Sequence, residues 1–513
     1  MTGWVCRYSC WVFFPRGFTV GGVPVTRPDA GNAGRNSRFE SQTALEHRHY
    51  INGEIVEAHG SDIYPVTSAI SGEQIAAGVL GDEIDAEDAI RAAKQALPAW
   101  SATTLDERRQ YLQQLADSFH ARRDDMISAL IEEFGTTTPT AAYIVDQSRD
   151  WFLFAQKLLT EETFAEQVGH GTVYQVPVGV AVLITPWNGA SWFMAMKASV
   201  ALAAGCTVIL KPSERGIWQT QPILDAIAAA GLPAGVINVV FGKGDPVGNV
   251  LTSHPDVAKV SITGSTATGK AIARNGVDTM KRVTLELGGK SPTIILEDAD
   301  LAAAIPFAVQ AGLFNNGQAC IAGTRILIPQ SRSTEIKQAL ADAVSAIKVG
   351  DPRDPGTVVG PVLDRDQYER IEGYIRAGID EGAEVLAGGL GHPDGLEDGN
   401  YVKPTLLAAT NDMTIAQQEI FGPVLAVITY HDDDEAVEIA NDSPYGLHAY
   451  IASGDVEHGR RIARRIRAGR VMVNEIIDAP DAPFGGFKQS GLGREFGRYG
   501  IQAYLEAQTV FSA

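Results

Sequence analysis

The chain has 513 residues, of which 45% are hydrophobic and 20% are charged, and its formal net charge at pH 7 is −20. This composition is typical of a folded soluble protein with more than one domain. The acidic charge argues against a nucleic-acid partner, which would need basic phosphate contacts. No apolar run approaches the roughly 18 residues of a membrane-spanning helix. The four cysteines lack the pattern of a disulfide framework, which favours the cytoplasm.

The first 44 residues differ in composition from the rest of the chain. Their beginning contains apolar runs, but a proline and arginines interrupt these runs, so they make a poor secretion signal. Residues 26–44 are polar and predict disorder. We interpret residues 1–44 as a non-essential N-terminal extension. Cys6 and Cys10 have a metal-like spacing, but no second pair of ligands follows nearby, and no metal site is predicted.

From residue 50 onward, helices and short apolar strands alternate. Residues 85–134 have apolar residues at helical spacing. The stretches VGVAVLIT, CTVILK, VINVVF and VAKVSIT are predicted strands, each followed by a helix, and Gly205 closes one of these helices. This alternation predicts a parallel, doubly wound sheet. The preceding residues His47–Tyr50 are predicted to form a surface segment rather than a metal site.

A second α/β region starts near Gly288. It contains the strand-like stretches SPTIILE, TRILIP, VLAVITY and RVMVNE, with helical segments between them. The glycine-rich stretch PFGGFKQSGLGREFG follows and is predicted to wrap over the surface. The two α/β regions are expected to pack together and to leave the ligand site in the cleft between them.

Four turns at the ends of predicted strands carry polar residues, and ligands bind at the carboxyl ends of parallel strands. The turns are TPWNGA with Asn188, KPSE with Lys211 and Glu214, TGSTATG with Gly264, Ser265 and Gly269, and LELGGKSP with Glu286. A Gly-Ser-Thr turn before a helix suits a pyrophosphate, because free backbone amides and the helix dipole favour an anion there. Taken singly, each turn is also compatible with a plain connection between two elements.

Cys320 stands among small and polar residues in FNNGQACIAGTR, residues 314–325. A lone cysteine is either a small buried hydrophobe or, on an open turn, a thiolate nucleophile. The residues around it do not decide between these interpretations, so the decision depends on the rest of the chain.

The motifs occur in an order that resembles the NAD(P)-dependent aldehyde dehydrogenase superfamily over about residues 45–513. They are PWN at 186–188, KPSE at 211–214, TGST..G at 263–269, LELGGKSP at 285–292, GQAC at 317–320, EIFGPVL at 419–425, SPYGL at 443–447 and PFGGFKQSGLGRE at 483–495. The series as a whole is very specific. It lacks the usual dinucleotide fingerprint, as expected for a family that binds its cofactor with the Gly-Ser-Thr turn.

The resemblance implies an α/β fold with a Rossmann-like NAD-binding domain, an α/β catalytic domain and a small oligomerisation β-hairpin. The implied boundaries are residues 45–154 and 178–288 for the NAD-binding domain, 289–488 for the catalytic domain, and 155–177 with 489–513 for the oligomerisation elements.

The resemblance assigns Cys320 as the nucleophile of an NAD-dependent aldehyde dehydrogenase of the hydrolytic type. Attack of the thiolate on an aldehyde forms a thiohemiacetal, whose oxyanion the Asn188 side chain and the Cys320 backbone N–H would stabilise. Hydride loss to NAD leaves a thioester. Glu286 would act as general base on the water that hydrolyses this thioester to a carboxylic acid.

The same resemblance implies the residues that bind the cofactor. Lys211 and Glu214 would hydrogen-bond the adenosine ribose, and Ser265 would contact the pyrophosphate. Glu419 and Phe421 would bind and orient the nicotinamide ribose. The implied set is Trp187, Lys211, Ser213, Glu214, Gly242, Gly264, Ser265, Gly269, Leu287, Glu419 and Phe421. The carboxylate of Glu214 favours NAD and leaves NADP as the less favoured alternative.

The chain departs from the family pattern beside Asn188, where Gly189-Ala190 replaces the usual aromatic-proline pair. This change predicts a wider substrate tunnel, and a bulky or apolar aldehyde is a hypothesis that follows from it. The loop 474–483, at the usual substrate entrance, offers Asp478 and Asp481 but no aromatic cluster, so it identifies no substrate.

Two rival functions stay open at this point. An acylating enzyme of the same fold would pass the thioester to coenzyme A, but such enzymes tend to lack the glutamate at position 286. A structural protein that kept the fold would not need to retain Cys320, Glu286 and Asn188 together.

Residues 164–178 predict an extended hairpin, and the C-terminal stretch GIQAYLEAQTV predicts an edge strand. In the family these elements pair across subunits, which satisfies their exposed strand edges. The resemblance therefore implies a homodimer or a homotetramer built as a dimer of dimers.

Overall fold

The computed structural model describes residues 44–46, 48–477 and 479–511. The predicted extension up to residue 43, with Cys6 and Cys10, lies outside the described residues, as do His47 and Asp478. The first described strand begins at Ala44, one residue before the predicted start of the NAD-binding domain.

The strands of the described residues form four sheets. In chain order they are β1 (Ala44–Glu46), β2 (Arg48–Ile51), β3 (Glu54–Glu57), β4 (Asp62–Thr67), β5 (Gln74–Leu80), β6 (Ala165–Val168), β7 (Gly171–Pro177), β8 (Val180–Thr185), β9 (Thr207–Pro212), β10 (Ile237–Val239), β11 (Val257–Thr263), β12 (Arg282–Glu286), β13 (Pro292–Ile295), β14 (Arg325–Pro329), β15 (Glu384–Ala387), β16 (Thr405–Ala408), β17 (Val424–Tyr430), β18 (His448–Ala452), β19 (Arg470–Val473), β20 (Gly491–Leu492) and β21 (Leu505–Phe511).

The α-helices of the same part of the chain cover the faces of these sheets. In chain order they are α1 (Glu83–Ser101), α2 (Leu105–Ala121), α3 (Arg123–Phe134), α4 (Thr138–Lys157), α5 (Glu161–Phe164), α6 (Ala190–Ala204), α7 (Ile217–Ala229), α8 (Asn249–Ser253), α9 (Thr266–Asn275), α10 (Leu301–Leu313), α11 (Ser333–Ser345), α12 (Arg365–Asp380), α13 (Thr414–Gln417), α14 (Asp433–Asn441), α15 (Val456–Ala463) and α16 (Gly497–Gln502).

The first large sheet has eight strands in the order β20-β12-β11-β8-β9-β10-β2-β3. Its five central strands, β12 to β10, are parallel, as the alternating sequence predicts. From β8 the chain runs to β9 and β10 on one side, and it returns to β11 and β12 on the other. The strand order therefore reverses between β8 and β11, and ligands bind at such switch points in open α/β sheets.

The burial of β8, β9 and α6 explains their central position in the first α/β region. Every residue of β8 and β9 is buried, which is expected of parallel strands covered by helices on both faces. Helix α6 between them is also buried along nearly its whole length, and it ends at Gly205 with a φ of 92°, as the sequence predicts.

The second large sheet has seven strands in the order β15-β16-β17-β14-β13-β18-β19, and all but β15 run parallel. Helix α10 crosses from β13 to the segment that leads into β14. The Cys320 loop lies on this segment, so α10 and β14 of the second sheet fix its two ends.

The predicted hairpin is present as β6 and β7, and β7 also pairs with β21 to give a sheet in the order β21-β7-β6. The prediction of a strand from residue 500 is wrong at its start, because Gly497–Gln502 forms α16 and the strand begins at Leu505. Among the described strands, the two outer ones, β6 and β21, have one unpaired edge each.

The surface prediction for His47–Tyr50 is wrong for its described residues. Strand β2 covers Arg48–Ile51 and lies between β10 and β3, with His49 and Tyr50 buried. The His49 ring is used as a buried acceptor, since its Nδ1 takes a hydrogen bond from the Phe241 N–H at 3.1 Å. Across the described ranges, all the helices are too short or too polar to cross a membrane.

Candidate active site

The loop that carries Cys320 begins where helix α10 ends. After Leu313, three consecutive residues adopt left-handed backbone conformations: Asn315 with a φ of 56°, Asn316 with 60° and Gly317 with 71°. Asparagine and glycine tolerate this region best. The reversal turns the chain away from α10 and delivers it to the Cys320 turn ahead of β14.

The side chain of Asn316 anchors this loop to two other segments. Its Nδ2 donates to the carbonyl oxygens of Gly135 at 2.9 Å and Pro361 at 3.0 Å. Its Oδ1 accepts a hydrogen bond from the Gly360 N–H at 2.9 Å. Because the amide is buried and fully used, it fixes the loop against the turn between α3 and α4.

Asn188 lies in the turn after β8 and faces the Cys320 loop. It is 7% exposed, and its Nδ2 donates to the carbonyl oxygen of Gln318 at 2.9 Å. The Asn315 side chain donates to the Asn188 carbonyl oxygen at 3.2 Å and accepts from the Thr136 hydroxyl at 2.8 Å. The structure thus brings the predicted oxyanion donor and the predicted nucleophile onto adjoining, mutually bonded turns.

The Cys320 thiol is half-buried, and its pKa is raised to about 12. Burial is the largest cause, and the charges of Glu419 and Glu286 add to it. The thiol therefore carries its proton at neutral pH and needs a base to become a nucleophile. The turn is tightly packed, since a Cβ at Gly289 would lie 2.5 Å from the Cys320 carbonyl oxygen.

Glu286 ends β12 and is 2% exposed. Neither of its carboxylate oxygens has a hydrogen-bond partner among the described residues. Burial raises the pKa of this carboxyl well above its ordinary value, and the charge of Glu495 adds to the shift. Lys197 acts in the opposite direction, although its ammonium is paired with Glu495 at 2.5 Å. A buried carboxylate without a partner takes a proton at a higher pH than an exposed glutamate does.

The turn after β9 carries the residues predicted at the adenosine ribose. Lys211 is buried, which lowers its pKa, and its Nζ lies 3.9 Å from Oε2 of Glu214. The Glu214 side chain is partly exposed. The Ser213 hydroxyl accepts a hydrogen bond from the Arg215 N–H at 3.2 Å and so shapes the turn. The lysine and the glutamate present a donor and an acceptor at one strand end.

The turn after β11 is the N-terminus of α9. Gly264 leads to Ser265, whose exposed hydroxyl accepts a hydrogen bond from the Thr268 N–H at 3.1 Å and caps the helix. A Cβ at Gly269 would lie 2.5 Å from the Leu287 side chain, so these two predicted residues hold α9 against the end of β12.

Three further predicted cofactor residues come together across the cleft. Glu419 accepts a hydrogen bond from the Gly289 N–H at 2.9 Å. Phe421 has a left-handed backbone with a φ of 63° and packs edge to face against Trp187, with ring centroids 5.2 Å apart. The predicted residues of the two α/β regions therefore meet at one place.

Gly242 follows β10 and packs against Val247, where a Cβ would lie 2.4 Å from that side chain. This close packing accounts for the glycine without reference to a ligand. Within the described ranges there is no cluster of three or more histidine, cysteine, aspartate or glutamate side chains that could hold a metal ion.

The sequence reasoning missed a link between the two α/β regions. The Arg215 guanidinium binds Asp364 at 2.5 and 2.6 Å and lies 5.3 Å above the Trp187 ring. The Gln367 side chain, one turn further along α12, donates to the Phe421 carbonyl oxygen at 2.7 Å. The two ion-pair partners are 149 residues apart, so no local pattern could have indicated this contact.

A sequence profile described as the aldehyde dehydrogenase family matches residues 55–510. A Staphylococcus saprophyticus protein with a provisional aldehyde dehydrogenase name is 42% identical over 465 residues, which cover 90% of this chain and 98% of the relative.

Two solved structures are similar over most of their length. Aldehyde dehydrogenase C from Pseudomonas syringae, a cysteine-to-alanine mutant in complex with NAD+ and octanal, has a TM-score of 0.90 and 39% identity, covering 93% of this chain and 98% of that one. Betaine aldehyde dehydrogenase from Staphylococcus aureus, in complex with NAD+, has a TM-score of 0.88 and 35% identity, covering 91% and 94%. The chain belongs to the aldehyde dehydrogenase family, which confirms the predicted family, fold class and class of enzyme.

Proposed function

We propose that the chain oxidises apolar aldehydes to carboxylic acids with reduction of NAD, and that Cys320 is the nucleophile. The observation that carries this proposal is the buried, unpartnered Glu286 carboxylate, whose charge acts on the Cys320 thiol beside the Asn188 amide. Family membership supports aldehyde oxidation, and the relatives bound to NAD+ support the cofactor.

In the first half of the reaction, the Cys320 sulfur bonds to the aldehyde carbon and the carbonyl electrons move onto oxygen. The thiol proton leaves to solvent as this carbon–sulfur bond forms. An amide NH2 has two hydrogens. One hydrogen of Asn188 is bound to the Gln318 carbonyl, which leaves the second for the oxyanion, together with the Cys320 N–H.

The residues at the strand ends fit a dinucleotide. The Lys211 ammonium can donate to a ligand, because its ion pair with Glu214 is long, at 3.9 Å. These two groups would hold the adenosine ribose, the N-terminus of α9 at Ser265 would hold the pyrophosphate, and Glu419 would hold the nicotinamide ribose. NAD, when bound, supplies the hydride acceptor.

In the second half, water must attack the thioester carbon on Cys320. Glu286 takes a proton from this water, and the carbon–sulfur bond breaks to release the carboxylic acid and the thiolate. Burial favours this role, because a carboxylate with a raised pKa is a stronger base than an exposed one.

The surroundings of Asn188 support an apolar substrate. The side chains nearest to the missing Cβ of Gly189 are those of Ile144 and Phe193, at 3.6 and 3.8 Å. Trp192 stacks on Phe193 and packs against Tyr143. The octanal complex of the Pseudomonas syringae relative points to the same class of aldehyde.

The test is NADH formation, followed by absorbance, with straight-chain aldehydes of two to ten carbons and with the cationic betaine aldehyde. Burial of each methylene contributes roughly 0.8 kcal/mol, so kcat/KM should rise roughly fourfold per carbon until the apolar region is filled. Betaine aldehyde should be a poor substrate. A dependence on coenzyme A would instead identify an acylating enzyme, and a preference for betaine aldehyde would refute the apolar site.

Glu214→Ser should weaken the preference for NAD over NADP. The 2′-phosphate of NADP would face the Glu214 carboxylate, and such repulsion costs on the order of 1–4 kcal/mol. Arg215 cannot readily offset it, since its guanidinium is held by Asp364. We expect the wild type to favour NAD by at least about tenfold in kcat/KM and the mutant to show a smaller ratio. Equal use of both cofactors by the wild type would mean that Glu214 does not face the ribose.

We also propose that the chain forms a homodimer or a dimer of dimers in the cytoplasm. The open edges of β6 and β21 favour pairing with a second copy. The low cysteine content favours the cytoplasm. Light scattering at micromolar concentration should give a dimer or tetramer mass, and a monomer alone would contradict the assembly.

A further inference from the structure

The turn that carries Asn188 is held by one buried side chain that no motif includes. Gln219 lies in the first turn of α7 and is 2% exposed. Its Nε2 donates to the carbonyl oxygen of Trp187 at 2.8 Å, and its Oε1 accepts from the N–H of Ala190 at 3.1 Å. The two hydrogen bonds bracket Asn188, one on the residue before it and one on the second residue after it.

This turn needs support, because the residue after Asn188 is a glycine. Gly189 has a φ of 144° and a ψ of 56°, and as the residue before α6 it provides no side-chain cap. Glycine loses the most conformational freedom on folding, so a turn built on it is easily disordered. The N–H of Ala190 begins a helix and has no partner within that helix. A proline at this position, as in the usual family pattern, would have no N–H to satisfy.

Gln219 is itself held in place. Its backbone N–H donates to Oε2 of Glu133 at 2.8 Å, and the N–H of Trp218 donates to Oε1 of the same carboxyl at 3.0 Å. Glu133 is buried at the end of α3 and so caps the start of α7. The Gln219 amide therefore presents its donor and acceptor from a fixed helix end.

We propose that Gln219 is a positioning residue for the oxyanion donor: its amide holds the Trp187–Ala190 turn, so that Asn188 meets the substrate oxygen in a fixed geometry. This inference rests on the proposed role of Asn188. Loss of one oxyanion donor lowers kcat about 10²- to 10³-fold. Displacement of the Asn188 amide, without its loss, should lower kcat by a smaller factor.

The test compares Gln219→Met with Gln221→Met. Methionine keeps the length of glutamine but removes both hydrogen bonds. Gln221 is the matched control, since it lies in the same helix and is 8% exposed. Among the residues that the structure describes, its side chain donates only to the Ile217 carbonyl of its own helix. We expect the rate of the NADH burst to fall roughly 10- to 100-fold in Gln219→Met, with KM changed less than about threefold. Gln221→Met should keep the wild-type burst rate.

A double variant separates positioning from general damage. If Gln219 acts through Asn188, Asn188→Ala combined with Gln219→Met should be no slower than Asn188→Ala alone. Additive losses, or a wild-type burst rate in Gln219→Met, would overturn the inference. Full activity in Asn188→Ala would instead refute the proposed oxyanion role.

Should Gln219→Met fail to fold, Gln219→Glu serves in its place. In its ionised form, this glutamate keeps the shape and the acceptor for the Ala190 N–H but cannot donate to the Trp187 carbonyl. Its NADH burst rate is again compared with that of Gln221→Met. We expect a slower burst, and an unchanged burst rate would contradict the inference.

Discussion

Replacement of Cys320 by alanine is expected to abolish NADH formation from aldehydes, with a loss of at least about 10⁴-fold in kcat/KM. The reason is that no thiohemiacetal can form without the sulfur. The change removes one atom from a half-buried side chain, so the fold and NAD binding should persist. Steady-state absorbance and a separate NAD titration measure the two effects, and normal turnover in Cys320→Ala would refute the mechanism.

Cys206 provides the matched control for this prediction. It is fully buried, its Sγ contacts the Tyr504 carbonyl oxygen at 3.5 Å, and burial raises its pKa to about 11. Cys206→Ala should retain activity. Iodoacetamide should inactivate the wild type by labelling Cys320 and not Cys206, as peptide mapping can show. Because the pKa of Cys320 is about 12, its labelling should accelerate about tenfold per pH unit between pH 7 and 9.

Much of the fold follows from local pattern. The stretches that form β8 and β9 are mostly apolar, and that of β11 alternates apolar with polar residues. All three end in polar turns, and the observed sheet places those turns on one edge. The candidates Asn188 and Glu286 lie where this geometry predicts, at the ends of β8 and β12. Cys320 is different, because its loop looks like an ordinary buried turn until the order of the other motifs is considered.

The support of the site could not be predicted in this way. Asn316 binds Gly135, which is 181 residues away, and Gln219 holds a turn 29 residues before it. Such pairs depend on how helices and sheets dock, and single-sequence patterns contain no signal for docking. The same limit explains the error at His49, whose polar neighbours suggested a surface segment although the strand is enclosed by β10 and β3.

Glu286→Gln is expected to separate the two half-reactions. Hydride transfer needs no water, so a burst of NADH should persist. Thioester hydrolysis needs an activated water, so steady-state turnover should slow by about 10²- to 10⁴-fold. In the wild type the base must be deprotonated. Since burial and Glu495 raise the pKa of Glu286 well above its ordinary value, steady-state turnover should rise with pH through that raised pKa. An unchanged steady state in Glu286→Gln would show that another group is the base.

The same substitution should stabilise the protein. The raised pKa means that the folded chain binds the Glu286 proton more tightly than the unfolded chain. The stability associated with this carboxyl is therefore lost as pH rises above the unfolded pKa of about 4.3 towards the folded value. Glutamine carries no charge to bury, so Glu286→Gln should raise Tm at pH 8, and the gain should vanish near pH 4.

Glu495→Gln is the control, because this buried carboxylate is paired with Lys197 at 2.5 Å. Removing one partner of a buried pair costs roughly 3–5 kcal/mol, so its Tm should fall at pH 8. A lower Tm in Glu286→Gln as well would mean that the Glu286 carboxylate has a stabilising partner in solution. Opposite shifts would show that the site keeps an unpaired carboxylate at a cost in stability, as expected of a group held ready to take a proton.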